Sequence, residues 1–249
     1  MYEYLVSIVA SPMHVGSLEW VYPVMLDQFF IKHLKQPLAN LAQQIDRRGI
    51  KANQITFAGF LLGLLAIPAL SFEWYGLAMV FILLNRLMDG LDGAVARVQG
   101  PTDLGGYLDI TLDFIFYSGV IFGFALANTE QNALAASFVI FSFMGTGSSF
   151  LAFAIMAEKR KIERLEYGKK SLYFIGGLAE GTETIIFLLL ICALPAHFTL
   201  LAYIFGSVCW ITTVTRIYAG YQTLKWLFRK GCLIEKGDFN VAFYYGTTG

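Results

Sequence analysis

The sequence predicts an all-α integral membrane protein: six transmembrane helices, preceded by an interfacial amphipathic helix, with both termini in the cytoplasm. Three observations predict it. Of the 249 residues, 57% are hydrophobic and only 14% charged, with mean hydropathy +0.60, whereas soluble domains carry about 25% charged residues. Apolar segments recur at the length needed to cross a bilayer, about 17 to 25 residues each. The Lys and Arg residues cluster in alternate connections, as they must if cytoplasmic loops retain basic residues.

Residues 1–26 have no clear period and no early positive region, so they match no cleavable signal and form an extension of unassigned structure. Because Met25 directly precedes the first helical pattern, translation is expected to start there, and mass spectrometry of the natural N-terminus checks this. From Asp27 onward, Phe30, Leu34, Leu38, Leu41 and Ile45 recur at helical spacing with Lys32, Lys35, Gln43 and Gln44 between them. That pattern suits a helix lying in the membrane interface, kinked near Pro37. The membrane domain is expected over 27–230 and a cytoplasmic tail over 231–249.

The spans are expected at 55–72, 74–88, 107–127, 133–157, 171–194 and 198–221. Asn53 or Thr56 is placed to cap the first. Basic residues lie before the first span (Arg47, Arg48, Lys51), between the second and third (Arg97), between the fourth and fifth (Lys159 to Lys170) and after the sixth (Lys225 to Lys236). The remaining connections, SFEW, NTEQNA and PAHF, contain none. The fourth span carries GTGSS, Gly145 to Ser149, small residues that let helices approach closely or pair between subunits.

Several function classes are excluded. The formal net charge is zero, with no nucleic-acid-binding signature. Cys192, Cys209 and Cys232 are too scattered for a disulfide framework. There is no CxxC or HExxH pattern, no P-loop and no GxGxxG.

The chemistry concentrates in NRLMDGLDGAVARVQGPTDLGGYLDITLDF, residues 85–114. A carboxylate in hydrocarbon costs several kcal/mol, roughly 2.5 to 3.5 on insertion scales, so acids beside membrane helices are functional candidates. Asp89 and Asp92 are three apart at the end of the second span, and Asp109 and Asp113 four apart at the start of the third. These spacings put each pair on one helical face. Four carboxylates facing one another need cations, and an all-oxygen set suits two hard divalent ions such as Mg²⁺ or Mn²⁺. Gly93, Gly100, Gly105 and Gly106 permit close approach of a phosphate ligand, and Arg97 offers a forked donor. The bland alternative is a solvated cytoplasmic loop; a second function class is a transporter using buried acids as a cation path, although transporter sites usually lie near the bilayer midplane.

These residues resemble the signature of the CDP-alcohol phosphatidyltransferases, D-x-x-D-G-x-x-A-R followed by G-x-x-x-D-x-x-x-D. Asp89, Asp92, Gly93, Ala96 and Arg97 match its first half, and Gly105, Asp109 and Asp113 its second. Seven residues separate Arg97 from Gly105 where the family usually has eight, and the customary Pro-Asn before the first span is Ala52-Asn53. GLAEGTETI (177–185) and IKANQIT look most like a bacterial inner-membrane branch. The resemblance implies a metal-dependent enzyme of phospholipid biosynthesis that transfers a phosphatidyl group from a CDP-linked lipid to a small alcohol and releases CMP. It implies two metals on Asp89, Asp92, Asp109 and Asp113, with Asp113 also the general base. Nucleotide contacts fall to Gly93, Ala96, Arg97 and Gly105. A homodimer in the bacterial inner membrane is implied, its active site facing the cytoplasm.

Glu180 and Glu183 in the fifth span would either pair with Arg216 or Arg86 or, with Lys170 and Arg216, line an acceptor pocket.

Overall fold

The computed structural model describes residues 38–159 and 181–242, with side chains placed through residue 225. All elements among them are helical: α1 (38–47), α2 (Ala52–Leu64), α3 (Ala66–Ser71), α4 (Tyr75–Gln99), α5 (Asp103–Ala127), α6 (Thr129–Lys159), α7 (Gly181–Ala193) and α8 (Phe198–Ala242), the last entered through a 3₁₀ turn at Pro195–His197. Among the described residues, four stretches are long and apolar enough to cross a membrane: α2 with α3, α5, α6, and Pro195–Lys225. In α4 the apolar run is interrupted by Arg86, Asp89 and Asp92. The expected fifth span contributes α7 here, and its first part lies outside the described residues. At most 39% of the apolar window of any of the four spans is buried. Their outward faces carry large apolar side chains such as Leu61, Phe122, Phe141 and Ile211. Lipid satisfies such faces and water does not, so the chain is an integral membrane protein.

The breaks have local causes. Pro68 cannot donate to the Leu64 carbonyl, and the helix divides at Leu65 into α2 and α3. Helix α4 runs well past the expected end of the second span at residue 88, to Gln99. It stops at Gly100, whose φ of 94° is left-handed, followed by Pro101. The Thr102 hydroxyl then accepts the Gly105 amide at 3.0 Å and starts α5. The connection expected to hold the glycines is thus only residues 100–102, and Gly93, Gly105 and Gly106 sit within helices.

Neither Asn53 nor Thr56 caps the first span, because the helix starts earlier than expected, at Ala52. The N-cap is Lys51, whose amide donates to Gln54 Oε1 at 2.9 Å, while the Thr56 hydroxyl bonds back to the Ala52 carbonyl at 3.2 Å. At the other end of the chain, α8 continues through Ala242 into the expected tail. Of the interfacial pattern, α1 buries Ala42 and packs Leu38 and Ile45 against Ala94 and Val95 of α4, whereas Leu41 faces outward.

Ring stacking fills the core: Phe124 on Phe198 with centroids 4.6 Å apart, and Phe187 on Phe205 at 4.1 Å. The small residues of α6 serve contacts inside the chain. A Cβ on Gly147 would meet the Phe114 ring at 2.6 Å, and one on Gly145 would meet Thr213 at 3.1 Å. Helix α2 packs against both α4 and α5, which meet each other through side chains, Arg86 of α4 reaching Asp113 and Tyr117 of α5. Gly59 and Gly63 make this fit, since a Cβ on Gly59 would stand 2.6 Å from Met88 Cβ and one on Gly63 2.8 Å from Phe116. The result is a cleft floored by α2 and walled by α4 and α5.

Candidate active site

Along α4, Asp89, Asp92, Gly93, Ala96 and Arg97 fall at helical spacing on one stripe, and along α5 Gly105, Asp109 and Asp113 do the same. Because α4 and α5 face each other over α2, Asp89 and Asp92 stand opposite Asp109 and Asp113 across a recess with Thr56, Gly59 and Phe60 on its floor. One carboxylate oxygen from each of Asp89, Asp92 and Asp109 lies within 4.8 Å of the others. Asp92 is 6% exposed, and its Oδ2 has no hydrogen-bond partner.

An unpartnered buried carboxylate oxygen is costly. At the triad's separation, each pair of ionised carboxylates repels by roughly 3 to 4 kcal/mol at an effective dielectric of about 20. A divalent cation relieves both costs, and three carboxylates with no nitrogen or sulfur among them match the preference of Mg²⁺ or Mn²⁺. The donor set therefore fits a metal.

Asp113 has a different environment. Arg86 Nη2 donates to its Oδ1 at 2.6 Å, and Arg86 Nη1 and the Tyr117 hydroxyl donate to its Oδ2 at 3.3 and 2.9 Å. Arg86 also reaches Asp89 Oδ2 at 3.5 Å. Its other face is held by Asn85, whose Oδ1 accepts from Nε at 2.9 Å and Nη2 at 2.6 Å. Asn85 in turn donates to the Gly59 carbonyl at 3.0 Å. Arg86, weighed from the sequence as a partner for Glu180 or Glu183, is instead committed to Asp113.

Of the expected nucleotide contacts, Gly93 and Arg97 are adjacent, with Arg97 Nη1 3.7 Å from where a Gly93 Cβ would stand. Arg97 is exposed and Ala96 half-buried. Gly105 is more confined: a Cβ there would lie 3.1 Å from Thr102 Oγ1 and 3.2 Å from Asn53 Oδ1. In the expected acceptor set, Glu183 lies in the first turn of α7. Arg216 of α8 donates to the Thr146 carbonyl at 3.4 Å and stands over the Phe150 ring at 5.4 Å. Lys170 and Glu180 lie outside the described residues. Sequence reasoning missed Asn85 and Tyr117 and gave Arg86 no part in the site. The signal was available, since Arg86 precedes Asp89 by three residues and Tyr117 follows Asp113 by four.

Comparison with known proteins gives the class. The CDP-alcohol phosphatidyltransferase family model matches residues 50–218. Inner membrane protein YnjF of Escherichia coli is 52% identical over 206 residues, covering 83% of this chain and all of that protein. The archaetidylinositol phosphate synthase of Pyrococcus horikoshii is 29% identical over 197 residues, 77% of this chain and 95% of that one. The fold is that of Mycobacterium tuberculosis phosphatidylinositol phosphate synthase (PgsA1). The structure with CDP-DAG bound has TM-score 0.57 at 19% identity, covering 74% of this chain and 93% of that chain. The structure with manganese and citrate has TM-score 0.56, again at 19% identity, covering 74% and 88%. The chain belongs to the CDP-alcohol phosphatidyltransferase family. It is a membrane transferase of phospholipid biosynthesis, which decides between the two function classes in favour of the enzyme.

Proposed function

We propose that this enzyme transfers a phosphatidyl group from CDP-diacylglycerol or a similar CDP-linked lipid to the hydroxyl of a phosphorylated polyol. The observation that carries the reading is the Asp89, Asp92 and Asp109 triad with its orphaned Asp92 oxygen, set in the family motif. Asp89, Asp92, Asp109 and Asp113 would hold two divalent ions. The manganese in the solved relative supports the metal class, and the CDP-DAG in the same protein supports the donor. Bound there, the ions would neutralise the donor's diphosphate and the charge that develops on departing CMP.

The chain's own groups do the rest. Gly93 and Ala96 leave room beside α4 for the cytidylyl part, Arg97 supplies a forked donor to phosphate, and Gly105 closes that end from α5. Asp113 accepts the proton of the acceptor hydroxyl; the oxygen bonds to the lipid-side phosphorus, the bond from that phosphorus to CMP breaks, and CMP leaves. Arg216, Lys170, Glu180 and Glu183 would line the acceptor pocket, the two cations meeting the acceptor's phosphate. Inositol phosphate heads the acceptor class, because both named synthases above make inositol phosphate lipids.

The same reading places the protein in the bacterial inner membrane as a homodimer, its 27–230 domain making six spans with both termini and the active site cytoplasmic. Basic residues in alternate connections support this orientation. The test is mass spectrometry of the lipid formed from CDP-diacylglycerol, Mn²⁺ and, one at a time, inositol phosphate, glycerol 3-phosphate and serine. A phosphorylated-polyol phospholipid is expected. Product with serine alone would overturn the acceptor class.

A further inference from the structure

The site contains a cation that neither the signature motif nor the metal reading uses. Arg86 lies one turn before Asp89, and its side chain is 15% exposed. Its guanidinium has five N–H donors, and each has an acceptor in the protein: Nε and Nη2 on Asn85, Nη2 on Asp113, and Nη1 shared among Tyr117, Asp113 and Asp89. No N–H is left over for a substrate phosphate. The ring faces of Phe116 and Tyr117 lie 5.3 and 5.2 Å from its central carbon, which fixes the plane of the fork. Asn85 anchors the other edge to the α2 backbone at Gly59.

We infer that Arg86, braced by Asn85 and Tyr117, is a positioning residue for the reaction: it aims the Asp113 carboxylate from α5 at the acceptor hydroxyl and serves as the site's built-in counter-cation. This rests on the reading of Asp113 as the base. The chain of contacts, Gly59 carbonyl to Asn85 to Arg86 to Asp113 and Tyr117, joins all three helices that form the cleft. Bidentate pairing sets the carboxylate's rotation as well as its place, which a point charge does not. Asp89, Asp92 and Asp109 form the tight cluster, and Asp113 is turned toward the fork.

The test uses the full-length protein in detergent, with R86Q, R86K, Y117F, D113N and the R86Q/D113N double variant. CMP release from CDP-diacylglycerol is followed with Mn²⁺ and inositol phosphate, and Mn²⁺ binding is measured separately by the loss of its free paramagnetic resonance signal. In R86Q, kcat is expected to fall about 100-fold with the donor KM changed less than about 3-fold, as for loss of a correctly placed general base. R86K restores the charge without the fork and recovers part of that loss, and Y117F lowers kcat about 3- to 10-fold. The double variant is no slower than D113N, because both changes act through one carboxylate. Folded R86Q still binds Mn²⁺, since Asp89, Asp92 and Asp109 form their cluster without Asp113.

Wild-type turnover in R86Q, an R86Q loss that multiplies with that of D113N, or complete loss of Mn²⁺ binding in folded R86Q would each overturn the inference. If R86Q does not fold, full activity in Y117F together with R86K overturns it equally. Wild-type turnover in D113N removes the base assignment and this inference with it. An inactive D113N beside a fully active R86Q removes only the inference.

Discussion

Asp92 carries the sharpest local conflict in the structure: a buried carboxylate with an unpartnered oxygen beside two other acids. Replacing it with Asn removes a ligand charge at almost constant volume. Asp92→Asn and Asp109→Asn are therefore expected to lower metal-dependent turnover by about 100-fold or more and to raise the Mn²⁺ needed for half-activation; a Mn²⁺ titration of the purified variants checks this. The four aspartates were legible in the sequence because three- and four-residue spacings put them on faces before any fold is known. Arg86 and Tyr117 were less so, although the same spacing rule reaches them. An arginine in an apolar run reads first as an orphan seeking any acid, and only the three-dimensional approach of α4 and α5 chooses Asp113 over Glu183. Asn85 had no local signal, since its partner is a backbone carbonyl on another helix.

At the level of elements, the cleft depends on how closely α2 fits its neighbours. Gly59→Ala would press a methyl against Met88 Cβ at 2.6 Å, so overpacking of about 1 to 3 kcal/mol is expected, with a lower unfolding temperature in detergent and reduced activity through Asn85. Gly76 lies in the first turn of α4, and a Cβ there meets nothing within 4 Å. Gly76→Ala is expected to be neutral or to stabilise by at most about 1 kcal/mol. Thermal unfolding of the two variants side by side tests this packing. The sequence revealed the helices by length and hydropathy but misjudged where α4 ends. Its last three turns hold the site acids and Arg97, and polar residues at a helix end read as loop until Gly100 and Pro101 are recognised as the true stop. The same bias placed the cap of α2 too late.

At the scale of the whole molecule, four spans follow from length and composition among the described residues. Six spans with cytoplasmic termini are proposed from charge placement, a pattern that spans the whole chain. Single cysteines in a background lacking Cys192, Cys209 and Cys232 test that orientation. Glu73→Cys and Glu130→Cys are expected to react with an impermeant thiol reagent in intact cells, and Val98→Cys only after the membrane is opened; the reverse pattern would invert the topology. The central claim, that the acidic cleft is a metal-dependent phosphatidyl-transfer site, is tested most directly by CMP release. The purified protein would be given CDP-diacylglycerol and inositol phosphate, with Mn²⁺ or with EDTA, beside Asp92→Asn. Release that requires Mn²⁺, stops in EDTA and falls by about 100-fold in the variant is expected. Release that persists in EDTA, or is unchanged in Asp92→Asn, would contradict the account.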